Sequence, residues 1–266
     1  MSEETRLKIW DQYDIPSEET LYWHCGPIRI WCKTISGELW IANKNIEIDQ
    51  GADNEPIPPP EDISWSRYAL QKNYQKMRFV PLFPNRPVVV KVEFPFYLTK
   101  DAEAKIYTRV PLWVRIDIVG TKNLSLFEVP TIKLSNTWFG TFTEGELCYW
   151  LSSGARRTIE PDSSRPYLAI CPIHMINTAE EDLSVEKICL RVSNLSLFYD
   201  GAQLWSDETK VFYRGSKEVS RIDVTGKPPP NAPSSQLITS PRSSLQKGLV
   251  KKTFTTLKDF LVWEYS

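Results

Sequence analysis

The chain has 266 residues, 41% of them apolar, with 32 Lys plus Arg against 33 Asp plus Glu and a net charge of −1. At roughly 100–200 residues per domain this length allows one large domain or two modest ones, and the apolar share excludes wholesale disorder. The balanced charge excludes the overall basic excess of a general nucleic-acid binder, so no specific nucleic acid is expected as a partner.

Twenty Pro are about 7.5% of the chain against a usual ~5%, and eleven Gly about 4% against ~7%, which disfavours glycine-cradled nucleotide folds. Ten Trp, eleven Tyr and eleven Phe, set in short runs between prolines, suit strands, because Pro fixes φ at strand ends and cannot donate to a ladder. The N-terminal MSEETRLKIWDQYD offers no apolar run of signal-peptide length, and no stretch reaches the ~18 apolar residues of a membrane span. Five Cys spread from Cys25 to Cys189 do not read as a disulfide framework. A cytoplasmic location with reduced thiols is therefore expected. The sequons at Asn123 and Asn194 have no secretory context and read as chance matches.

In chain order, residues 21–42 alternate Ile28, Ile30 and Cys32 with polar or bulky neighbours, break at Ser36-Gly37 and resume at Leu39 and Ile41, which predicts a hairpin. Residues 49–62 (DQGADNEPIPPPED) form a Pro-rich loop, since three consecutive prolines forbid a central strand. Residues 65–83 suggest a second hairpin, with a short helix over ALQKNYQKM as the rival. Runs at 86–94, 105–119, 131–139, 167–176, 183–192, 195–199 and 203–213 read as strands. NLSLF occurs at 123–127 and again at 194–198, too short a match to establish a repeat. Residues 226–246 are Pro- and Ser-rich and read as a flexible tether. In 247–266, Leu249, Val250, Phe254, Leu257, Phe260 and Leu261 fall within a ~140° helical arc with Lys251 facing away, which predicts a short amphipathic C-terminal helix.

These elements predict an all-β protein, an antiparallel β-sandwich of immunoglobulin-like type in one or two packed units. The expected organisation is residues 1–160, a second β region at 161–225, the tether and the C-terminal segment.

No phosphate loop, HExxH pair or GxSxG elbow occurs, and no cofactor is expected. Cys171 and His174 have metal-like spacing, but on a regular strand positions three apart face opposite ways, so no metal is expected and buried thiols are the simpler reading. Trp138, Phe139, Glu144 and Glu146, with Arg156 and Arg157, form the densest binding candidate, able to grip a sugar or act as an acid/base pair. Glu144 and Glu146 share a strand face, where acids ordinarily meet solvent, and Asp207 and Glu208 read the same way. Leu249, Lys251, Lys252, Phe254, Leu257, Phe260 and Leu261 could contact a partner groove or an anionic membrane surface, because 226–252 carries five cations and no acid.

The segments RPVVV (86–90), YTRVPLWVRI (107–116), LSNTWFGTFTEGELCYW (134–150), SSGARR (152–157), ICPI (170–173), ICLRV (188–192), LSLFYDG (195–201) and LWSDE (204–208) resemble a domain-of-unknown-function family of archaeal and bacterial proteins over most of residues 20–215. The resemblance implies a fold type, a prokaryotic setting and an accessory role beside a membrane protein; it carries no catalytic residue. The expected function is a non-enzymatic binding or accessory module acting on a protein partner. The alternative is a carbohydrate-binding or carbohydrate-active sandwich using Trp138, Glu144 and Glu146.

Overall fold

Ser36 and Gly37 take φ of 51° and 81°, the left-handed pair that a two-residue hairpin turn requires, and they join two eight-residue strands in full register from Ile28↔Asn45 to Ile35↔Glu38. The computed structural model describes residues 8–17, 19–46, 56–71, 74–141, 143, 145–160, 162, 164–216, 220–243, 249–250 and 254–255.

In chain order the strands are β1 (Gln12–Asp14), β2 (Leu21–Cys25), β3 (Ile28–Ile35), β4 (Glu38–Asn45), β5 (Ser66–Ala69), β6 (Lys76–Leu82), β7 (Val88–Leu98), β8 (Glu103–Pro111), β9 (Trp113–Val119), β10 (Leu124–Pro130) and β11 (Ser135–Phe139). They continue as β12 (Glu146–Ala155), β13 (Leu168–Asn177), β14 (Leu183–Leu190), β15 (Leu197–Tyr199), β16 (Leu204–Ser206), β17 (Thr209–Tyr213), β18 (Arg221–Val224), β19 (Gln236–Thr239), β20 (Leu249–Val250) and β21 (Phe254–Thr255). Among the described residues the helical elements are 3-10 turns at Lys8–Trp10 and Val192–Asn194. The all-β expectation therefore holds.

The chain forms two units. The first takes residues up to Leu82, Pro111–Lys133 and Ser164–Tyr167; the second takes Phe83–Val110, Leu134–Ser163 and the chain from Leu168 onward. Both units draw on residues before and after 160.

The first unit has two four-stranded antiparallel sheets, ordered β1-β6-β9-β10 and β2-β3-β4-β5. Trp23 on β2 stacks on Phe79 on β6 at 4.6 Å between centroids, so one face of each sheet meets the other. Period-2 alternation puts Cys25, Ile28, Ile30, Cys32, Leu39 and Ile41 on that same buried face. Each such large side chain contributes about 1.5–3 kcal/mol on burial. The hairpin expected over 65–83 does not form: β5 pairs with β4, and β6 pairs with β9 and β1. Met77 and Phe79 find apolar cross-strand partners in Ile118 and Ile116, which a short hairpin to the polar β5 would not supply. The rival helix is likewise not formed by its described residues.

The second unit has a five-stranded sheet, β11-β12-β7-β14-β21, and an eight-stranded one, β19-β15-β16-β13-β17-β18-β20, with β8 also on β13. Ile188 and Cys189 of the first sheet line one cleft with Ile173, Val211, Ile222 and Val224 of the second, which places the two sheets face to face. Most pairings are antiparallel, but β12 runs parallel to β7, and β16 and β17 run parallel to β13.

The C-terminal amphipathic helix is corrected. Leu249–Val250 pairs with β18 and Phe254–Thr255 with β14, because open edges of both sheets accept backbone hydrogen bonds there. Lys251, Lys252, Leu257, Phe260 and Leu261 lie outside the described residues. Within 226–246, read from composition as a tether, Gln236–Thr239 forms β19 against β15 and Ala232 is buried in a cluster with Ile170, Phe198 and Trp205.

Candidate interaction surface

Strand β7 departs from regular pairing near its middle. Against β14, Lys91 faces Lys187 and Phe96 faces Val185, so β7 advances five residues where β14 advances two. A bulge of this kind re-aims side chains, and Pro95 within it donates no ladder bond. The result is Phe94 76% exposed and Tyr97 74% exposed. Their neighbours in sequence, Glu93 and Phe96, engage two arginines. Arg156 pairs with Glu93 at 2.7 Å, and the Arg157 guanidinium lies 4.2 Å from the Phe96 ring centroid.

Gly154 lets β12 approach the bulge: a Cβ there would sit 3.1–3.3 Å from Glu93 atoms. The sequence signal for this surface is the run FPFY at 94–97 closing a Val-rich strand; sequence reasoning followed the strand and missed the aromatics.

The residues singled out from sequence scatter. Trp138, on edge strand β11, is 52% exposed and donates from Nε1 to Thr141 O at 2.9 Å. Its ring lies over Gly145, where a Cβ would come within 2.1 Å of Nε1. Phe139, the next residue, turns inward at 5% exposure into a cluster with Val89, Cys148 and Cys189, so it is a core residue and offers no contact to a ligand. Glu146 accepts from Arg191 Nη2 at 2.5 Å, and Arg191 is almost fully buried, so this carboxylate is committed to neutralising an interior guanidinium. Glu144 lies outside the described residues.

Asp207 and Glu208, expected in solvent, are buried. Across the break between β16 and β17 the partner strand β13 advances from Ile170 to Ile173 while this strand advances from Trp205 to Thr209, one residue more, and the two acids occupy that break. Asp207 accepts from the backbone N–H of Ser196 and of Gly226, each at 3.1 Å, tying the start of β15 to the end of β18. Burial lifts its carboxyl from 3.8 to about 7, with those N–H groups opposing the rise. Glu208 pairs with Lys105 on β8 at 3.1 Å.

Cys171 and His174 separate as three-apart strand positions must. Cys171 is fully buried and its thiol is pushed up to about 12 by burial, while His174 Nε2 lies 2.9 Å from Glu103 Oε2. Among the described residues no cluster of three or more His, Cys, Asp or Glu is placed to hold a metal. The Sγ atoms of Cys148 and Cys189 lie 3.9 Å apart; their contact and burial push the Cys189 thiol up. Among the described residues no helix is long and apolar enough to cross a membrane.

One family model covers nearly all of the chain. The chain belongs to the DUF432 family. That family is described as "Protein of unknown function", and its model matches residues 9–258. No curated protein and no solved structure matches the chain. In this DUF432 protein the match takes in both units, the β7 bulge and the buried acid pair.

Proposed function

We propose that this DUF432 protein is a non-enzymatic binding module that docks a partner protein through the β7 bulge, with Phe94 and Tyr97 as anchors and Arg156 and Arg157 at the rim. The observation that carries this reading is the pair of aromatic side chains held three-quarters exposed at and next to a strand bulge whose residues Glu93 and Phe96 engage Arg156 and Arg157. Aromatic anchors and arginines dominate the binding energy of protein interfaces, and Phe94 and Tyr97 are the two most exposed large apolar side chains among the described residues. Of the two acids considered for glycan chemistry, Glu146 is committed to Arg191, and Glu144 lies outside the described residues.

A cytoplasmic setting fits five buried cysteines that remain thiols, two of them in contact. The immunoglobulin-like comparison applies best to the first unit, whose two antiparallel four-stranded sheets pack face to face. A prokaryotic accessory role beside a membrane protein, with peripheral contact to the membrane surface, remains compatible with docking through an exposed aromatic surface.

The test places a photo-cross-linking amino acid at position 97 in the full chain within its native host. A discrete adduct that disappears on Phe94→Ser, with the melting temperature within about 2 °C of the parent, is the expected result for an exposed side chain. Adduct formation that is indifferent to Phe94→Ser, or absent altogether, overturns the reading.

A further inference from the structure

The sheet β2-β3-β4-β5 has a second face, opposite the one on which Trp23 and Ile30 pack. By alternation and register that face carries Tyr22, Arg29, Trp31, Lys33, Trp40 and Arg67. An outer face this rich in charge and aromatic rings would ordinarily be wet, yet Trp31 is 0% exposed. The chain's own Pro-rich segment reaches it there. The Trp31 indole Nε1 donates to the Ile57 carbonyl at 2.7 Å.

Ile57, Pro58 and Pro59 each precede a proline, so sterics hold them in extended or polyproline II backbone, and Pro58, Pro59 and Pro60 lack N–H groups. Such a segment presents carbonyl acceptors, and an indole N–H on an aromatic floor is the complementary donor; SH3- and WW-type grooves bind prolines in this way. The remaining side chains continue the floor. Tyr22 and Trp31 centroids lie 6.0 Å apart, and the Lys33 ammonium sits 4.0 Å from the Trp65 ring and 5.5 Å from Trp40. Arg67 lies 4.6 Å from the Trp40 ring and is fixed by Glu38 at 2.7 Å.

The cover is shallow: Ile57 is 38% exposed, Pro58 is exposed, and Pro59 and Pro60 are half-buried.

We propose that this face is a recognition site for proline-rich segments, occupied in cis by Ile57–Pro60 and open in trans to a proline-rich segment of a partner protein that displaces it. The cis segment acts as a tethered competitor, so a partner in trans meets an apparent affinity lowered by its effective concentration, commonly in the millimolar range. The site uses none of the residues of the β7 bulge, and either proposal stands if the other fails.

The experiment uses the full chain carrying Pro58→Ser, Pro59→Ser and Pro60→Ser, titrated with a synthetic peptide of the sequence of residues 56–62, PIPPPED, while the Trp31 indole N–H resonance is followed. A scrambled peptide without adjacent prolines is the control, and circular dichroism monitors the fold. Binding at least about tenfold tighter to the triple variant than to the parent, and lost by about tenfold on adding Trp31→Phe, is the expected result for removal of a tethered competitor. If the triple variant does not fold, Pro59→Ser alone and the parent chain at millimolar peptide are read by the same resonance. No peptide-dependent shift in any folded form, or equal binding of the scrambled peptide, overturns the proposal.

Discussion

Burial holds the Asp207 carboxyl at about 7, with the N–H groups of Ser196 and Gly226 pulling the other way. The folded chain therefore keeps a proton that the unfolded chain releases near 3.8, so the contribution to stability is full below that value and is lost as pH rises through about 7. Integrated over that window the loss is on the order of 4 kcal/mol. Asp207→Asn removes the titration but places an amide NH2 against one of the two backbone donors, at about 1–3 kcal/mol. The variant is thus expected to be less stable than the parent at pH 4.5 and to draw level with it or pass it by pH 8, as read from urea midpoints. A parent-to-variant difference that stays flat across that range rules out the buried titration. Nothing in LWSDE announces this: two adjacent acids after a Ser look solvated, and only the residue gained between Trp205 and Thr209 against β13 turns them inward.

At the scale of elements, turn chemistry was legible where it is local. Ser36-Gly37 marked the β3–β4 hairpin because both positions need positive φ, which glycine adopts freely, and serine is a common turn residue. The hairpin expected over 65–83 failed because β5 and β6 choose partners far away in the chain, and periodicity carries no information about partners. The C-terminal pattern misled for a related reason: an apolar arc with lysines behind it is equally available to short strands once sheet edges are there to receive them. The two tight turns of the first unit differ in a way that substitution will expose. Gly37 has φ +81° and nothing within 4 Å of a Cβ, so Gly37→Ala is expected to cost about 1–2 kcal/mol through backbone strain alone. Gly26 has φ +59° and a Cβ would meet the Tyr167 ring at 2.4 Å, so Gly26→Ala adds the displacement of a buried ring to the same strain. Thermal melts should place Gly26→Ala below Gly37→Ala; the reverse order contradicts the packing of Tyr167 on that turn.

Across the whole molecule, composition revealed the fold class but not the partition of the chain, because leaving a unit and returning to it changes no residue frequencies. The binding candidates suffered similarly: Trp138, Glu146 and Arg156 lie near one another in sequence, yet one is exposed at an edge, one neutralises Arg191 and one pairs with Glu93. A fragment ending at residue 160 makes the partition measurable. It keeps every strand of the first unit and loses Ser164–Tyr167, and with it the Tyr167 carbonyl that accepts from Leu112 N–H. From the second unit it keeps β7, β8, β11 and β12 but loses β13 and β14, which pair with β8 and β7. Hydrogen exchange should therefore find amides of residues 28–45 protected in the fragment, because β2, β4 and β5 are all present to pair with and flank them. Amides of residues 96–98, protected in the full chain, should exchange close to unfolded rates, since β14, which pairs with Phe96–Leu98, is gone, while the retained β12 pairs with β7 only from Val88 to Val92. Retained slow exchange across 96–98 in the fragment would mean that residues before 160 form a self-sufficient body, and the two-unit division would have to be redrawn.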